Sequence, residues 1–330
     1  MPHHHQRKIE NYSKMAEPTR AVDDMLQSEP TPDWRKGRKH WGIAWELHWI
    51  GFGLAFSILA VFSLFSLIQA RKKRGFGRKP FVIAVNSLLL FFGVTRASYL
   101  LIDPYGSQQN GIEVPLWFLQ FLFNIAFPCL TSAFSLIFLA FLEVSKLQLV
   151  PNKLQNIYLL GSIITFHFAL VLAGDIASAV DADIIILLLI CQVFIIVWGF
   201  LLSASFIYSG FKVIHQVRNV EKRLQLQNRA NTSKVAKVTI GTSILGIASS
   251  ILQLYSLVSV YKFYAKIQEP DAWMWWTFQT CARLVEIAMA CTLTYSVRRP
   301  SENKRSASVR RKLTVTETTA MALENTFAVF

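Results

Sequence analysis

Apolar and charged residues segregate along this chain instead of interleaving. Nearly uninterrupted apolar blocks run over about 47–70, 81–102, 115–143, 155–174, 184–210, 238–261 and 273–296. Most of the charge is crowded into the gaps between them. A helix on the surface of a soluble protein would repeat polar residues every third or fourth position. A block of ~20 residues, rising about 1.5 Å per residue, covers the roughly 30 Å of hydrocarbon in a bilayer. The pattern predicts an all-α membrane protein, a bundle of seven transmembrane helices spanning 47–296.

Punctuation agrees with that division. Asp103-Pro104-Tyr105-Gly106 should stop the second span, and Pro128 should kink the third, because proline lacks the N–H that continues a helix. Trp41, Trp45 and Trp49 share a four-residue spacing leading into the first span, and Trp273, Trp275 and Trp276 open the seventh. Indole rings favour the membrane–water boundary. Residues 1–46 are polar and expected to be disordered, and 297–330 form a basic tail. No cleavable signal sequence is evident, so the first span is expected to act as its own anchor.

Composition sharpens the picture. The chain is 53% hydrophobic and 16% charged, against about 25% charged in soluble domains. The net charge of +14 does not point to nucleic acid, because the basic residues flank the apolar blocks instead of building a folded basic surface. They report topology. The gaps after spans one, three and five and the tail hold 22 Lys and Arg, while those after spans two and four hold none and that after span six holds two. The positive-inside rule places the first group and the C-terminus in the cytosol and the N-terminus outside. Arg35, Lys36, Arg38 and Lys39 conflict with this, lying near span one on the outer side. Asn11 opens a glycosylation sequon on the outer side, and Asn231 opens one on the inner side.

Several stretches carry a family likeness. Ala44-Trp45-Glu46-Leu47-His48, then Thr95-Arg96-Ala97-Ser98-Tyr99-Leu100-Leu101-Ile102-Asp103-Pro104-Tyr105-Gly106, and Phe127-Pro128-Cys129-Leu130-Thr131-Ser132-Ala133-Phe134 resemble the membrane domain of the proline-rich transmembrane proteins 3 and 4. The likeness covers roughly residues 40–300. It implies a multi-pass domain with no accepted catalytic residues. The family's better-known members also carry a long proline-rich extracellular region, whereas the first 46 residues here hold four prolines.

Three ionisable residues fall well inside apolar blocks: Arg96, Arg283 and Glu286. A charge at mid-bilayer costs about 3 kcal/mol on insertion scales, so each should face the bundle interior and find a partner. Arg283 and Glu286 are three apart and can pair on one helix face. Arg96 can reach Glu286 or extend outward to Asp103. One reading is a polar ligand pocket joined by His48, Glu46 and His167. The other is an ion pair that fixes helix register, and it is the preferred one. Asn86, Gln120, Asn124, Gln192 and Gln253 are read as interhelical hydrogen-bond formers, with a permeation path as the alternative. Gly51, Gly53 and the Gly241–Gly246 segment are read as close-packing positions.

Enzymatic signatures are absent: no glycine-rich phosphate loop, no His-Glu-x-x-His helix and no Gly-x-Ser-x-Gly elbow. Cys129, Cys191, Cys281 and Cys291 lie in apolar blocks and read as buried thiols, so no metal or cofactor is expected. The marks of the main G-protein-coupled receptor class are missing too. The inner end of span three reads Leu142-Glu143-Val144-Ser145, and no asparagine–proline pair precedes Tyr295.

On the cytosolic side, 212–237 is a basic segment suited to the anionic leaflet. Ser301, Ser306 and Ser308 lie among arginines, a context for phosphorylation that would weaken that attraction. Phe327, Ala328, Val329 and Phe330 form a candidate PDZ ligand. The reading is a non-catalytic signalling or trafficking component of the membrane, with cytosolic protein partners and no known ligand. A ligand-binding receptor, or a small-solute channel or transporter, are the alternatives.

Overall fold

The computed structural model describes residues 31–72, 79–111, 114–145, 157–180, 185–224, 230–260 and 270–298. Asn11, the three tail serines and the C-terminal Phe327–Phe330 lie outside the described residues. Within them every regular element is helical. In chain order these are α1 (Trp34–Trp41), α2 (Ile43–Lys72), α3 (Lys79–Ile102), a short 3-10 turn at Pro104–Gly106, α4 (Leu116–Asn124), α5 (Ala126–Ser145), α6 (Ile157–Val180), α7 (Ile185–Leu224), α8 (Ala230–Tyr255) and α9 (Ala272–Arg298). Among the described residues six helical stretches are long and apolar enough to cross a membrane: Ile43–Lys72, Lys79–Gly106, Leu116–Phe141, Tyr158–Ala177, Leu189–Lys212 and Lys237–Val258. The 27-residue α9 is long enough as well. Its apolar run is diluted by Gln279, Arg283 and Glu286, and it is not one of the six.

Four features depart from or refine the sequence expectation. Trp34–Trp41, assigned to a disordered polar segment, is helical. Asp33 caps α1 by accepting from the backbone N–H of Arg35 at 2.9 Å and of Lys36 at 3.3 Å, which satisfies donors that a helix start leaves open. The carboxyl of Asp33 is held below its usual range, chiefly by the N–H of Lys36. The third span breaks at Ile125 into α4 and α5. The break lies where Pro128 cannot donate to the carbonyl of Asn124, one turn earlier. The fifth helix does not stop near 210 but runs unbroken to Leu224. The sixth ends in a π-helical turn, Ser256–Val260.

Packing centres on the third span, where 67% of the apolar window is buried, against 17% for Tyr158–Ala177 in α6. The α2–α3 pair is tight. A Cβ on Gly93 would meet the Ala60 nitrogen and the Phe56 carbonyl oxygen at 3.0 Å, so only glycine lets these backbones approach so closely. Phe56 and Phe92 meet edge to face beside it. Farther along the bundle, Phe134 of α5 stacks on Phe206 of α7. Gly246 of α8 lies against Ser203 of α7, and Gly53 lies against Leu101, whereas Gly51 and Gly241 face open space. The glycine expectation thus holds at two positions and fails at two. Ile58, Val61, Phe65, Val197 and Ile251 point outward, as lipid-facing side chains do.

Candidate functional site

Gln279, Arg283 and Glu286 follow one another at spacings of four and three, so they share one face of α9. That face meets Arg96 of α3. Arg96 Nη2 donates to Glu286 Oε1 at 2.7 Å and Nε donates to Oε2 at 3.1 Å, a two-pronged guanidinium–carboxylate contact. Arg283 Nη1 donates to the same Glu286 Oε2 at 2.8 Å, and Nη2 donates to Gln279 Oε1 at 3.3 Å. Of the two partners left open for Arg96, Glu286 is the one it takes. The remaining donor of Arg96, Nη1, goes to the backbone carbonyl of Phe123 at 2.9 Å. Phe123 lies two residues before the α4–α5 break at Ile125.

Burial here is nearly complete, at 0% exposure for Arg96, 1% for Arg283 and 5% for Glu286. Two guanidiniums and one carboxylate leave one positive charge in excess. Aromatic faces offset it. The Arg96 guanidinium carbon lies 4.7 Å from the Phe127 ring centre and 4.8 Å from that of Phe123, and Arg283 lies 5.5 Å from Phe123 on the same ring. Desolvated cation–π contacts of this kind are worth about 2 kcal/mol.

A second tier covers the triad toward the α9 N-terminus. His48 Nδ1 lies 2.9 Å from Thr280 Oγ1, and Nε2 lies 2.9 Å from the Tyr105 hydroxyl. Tyr105 is held at φ 57°, in the left-handed region that a bulky residue rarely occupies. That conformation, in the turn after α3, places the ring between His48, Tyr99 and Trp275.

Above this sits a tier of indoles. Trp41 stacks on Trp45 with centroids 5.3 Å apart and on Trp275 at 5.8 Å, and Trp34 meets Trp275 edge to face at 5.3 Å. Trp34, Gly37 and Trp41 form the inward face of α1, and a Cβ on Gly37 would collide with the Trp41 ring. Arg38 fastens the helix to the loop after α3, donating from Nη2 to the Ser107 carbonyl and from Nη1 to Gln109 Oε1, each at 2.8 Å. This leaves three of the four basic residues that precede the first span, Arg35, Lys36 and Lys39, on the exposed side of α1.

Other expected members fall elsewhere. Glu46 is exposed, and His167 packs in another part of the bundle, with Nδ1 3.2 Å from Thr131 Oγ1. Asn124 donates to Asp175 at 2.6 Å, Gln192 donates to Ser256 at 3.3 Å, and Asn86 bonds its own helix at the Val82 carbonyl. Cys129 and Cys191 are buried free thiols, while Cys291 is exposed. Sequence reasoning missed Phe123, Tyr105, Gln279 and Trp34. The i, i+3, i+7 spacing of Trp34, Gly37 and Trp41 was the available signal for α1.

Residues 18–314 match the Proline-rich transmembrane protein 3 domain. Proline-rich transmembrane protein 4 of Mus musculus is 28% identical over 299 residues, covering 82% of this chain and 32% of that protein. Proline-rich transmembrane protein 3 of Homo sapiens is 27% identical over 280 residues, covering 84% of this chain and 26% of that protein. The chain thus spans between a quarter and a third of the length of these relatives. No solved structure matches it.

Proposed function

We propose that this chain, which belongs to the Proline-rich transmembrane protein 3 domain family, is a non-catalytic signalling or trafficking module. It is an integral, multi-pass membrane protein. In our reading the bundle has seven spans, with α9 as the seventh, the N-terminus outside and the basic tail in the cytosol. The Arg96–Glu286–Arg283 triad sets the register of α9 against α3, and the cytosolic segments meet the anionic leaflet and protein partners. Ser301, Ser306 and Ser308 would tune that contact when phosphorylated, and Phe327–Phe330 would dock in a PDZ groove.

One observation carries the register reading: Arg96 of α3 makes two hydrogen bonds to Glu286 of α9 and one to the Phe123 carbonyl of α4. A ligand would have to break these to enter. Removing one partner of a buried pair costs roughly 3–5 kcal/mol, because the other charge is stranded. Arg96→Gln and Glu286→Gln should therefore each be retained inside the cell and lose their monodisperse peak in detergent. Variants that reach the surface with normal stability would refute the register role. A ligand-binding receptor is the second reading, favoured by the excess positive charge of the triad, and it would then be pursued with anionic ligands.

A further inference from the structure

We infer that α1 is a displaceable plug that seals the end of the bundle above the triad, and not a fixed part of its core. The connection to α2 is a single residue, Gly42, at φ 49° and ψ −128°, a backbone state open to glycine but strained for other residues. The helix is only eight residues long, too short to persist without what it packs on. Arg38 provides its polar clamp, and that clamp grips a loop (Ser107 and Gln109) instead of a helix. The rest of the attachment is ring against ring.

The indole tier has a further property that points to reversible docking. The Nε1 donors of Trp41, Trp45 and Trp275 are buried with no acceptor among the described residues, although those rings are 3%, 2% and 0% exposed. In water the Trp41 donor would be hydrated, and lifting α1 would uncover the others. Apolar stacking favours closure, and hydration of the indole donors favours release. Beneath the plug the chain of contacts is continuous: Trp41 packs on Trp45, Trp45 lies against His48, and His48 bonds Thr280, one turn above Arg283. Whatever segment precedes α1 therefore has a mechanical handle on the cover of a cationic, aromatic-lined site.

The test uses the full chain in lipid nanodiscs, where both faces are open to reagent, so its result does not depend on which compartment that end faces or on the proposed signalling role. Cys129, Cys191, Cys281 and Cys291 are replaced by alanine, and Thr280→Cys serves as reporter for a membrane-impermeant maleimide. With α1 intact the thiol should react slowly. Combining Trp34→Ala with Arg38→Ala should raise the rate at least tenfold while the thermal midpoint of the bundle stays within a few degrees. An unchanged rate overturns the plug, as does a Thr280→Cys thiol that reacts at full speed beneath an intact α1. If removing the two anchors instead melts the bundle, α1 is core and the inference fails. Arg38→Ala alone, which spares the indoles, should give an intermediate rate, and a rate equal to wild type would refute the clamp.

Discussion

Phe123 serves the triad twice, through its carbonyl to Arg96 and through its ring to both guanidiniums. These roles separate by mutation, since Phe123→Leu keeps the carbonyl and removes the π face. The expected loss is about 2 kcal/mol of bundle stability, read as a lowered thermal midpoint in detergent, with Phe123→Tyr close to wild type. An equal loss in both would mean that shape, not the π face, matters. Such dual use was not legible beforehand. Ionisable residues in apolar blocks announce themselves, and the i, i+3 spacing of Arg283 and Glu286 announces their pairing. A backbone acceptor exists only once the α4–α5 break has been built, and the left-handed Tyr105 only once the turn is packed.

Helix-level expectations divide by what each glycine faces. At Gly93 an added methyl meets backbone, so Gly93→Val should destabilise by about 1–3 kcal/mol and weaken the α2–α3 pair. Gly51→Ala and Gly241→Ala meet nothing within 4 Å and should stay within about 0.5 kcal/mol of wild type. Detergent melting curves of the three variants check the ordering.

The cap of α1 gives a pH dependence. The folded Asp33 carboxyl lies below its unfolded value, so its stabilising contribution is present at neutral pH and fades as acid protonates it. Acidification below about 4 should shift tryptophan emission as α1 loosens. Asp33→Asn, which still caps but does not titrate, should abolish that response. The spans were readable because the hydrocarbon core demands about 20 consecutive, predominantly apolar residues. The eight-residue α1 was not, since five of those residues are basic or histidine and only its tryptophan spacing hinted at order.

For the molecule as a whole, the arrangement of charge across the bilayer is the testable claim. Glycosylation mapping in cells should find Asn11 modified and Asn231 bare, and the opposite pattern would invert the proposed topology. Seven apolar blocks are plain in the sequence, and six of them meet the length and hydropathy of a span within the described residues. The seventh falls short on hydropathy because it carries the polar face that meets Arg96. Fold and likeness to the family were thus legible at low resolution, while the packing that decides the site depended on contacts between residues distant in sequence.

The reach of α7 sets what its far end can sense. Forty residues make a rod of ~60 Å, twice the hydrocarbon thickness. With its axis near the membrane normal, Leu224 stands roughly 18 Å past Lys212, well outside the ~8 Å over which salt screens a surface potential in cells. On that axis the proposed contact with the anionic leaflet belongs to the part of α7 nearest Lys212, and a surface potential fades along the turns toward Leu224.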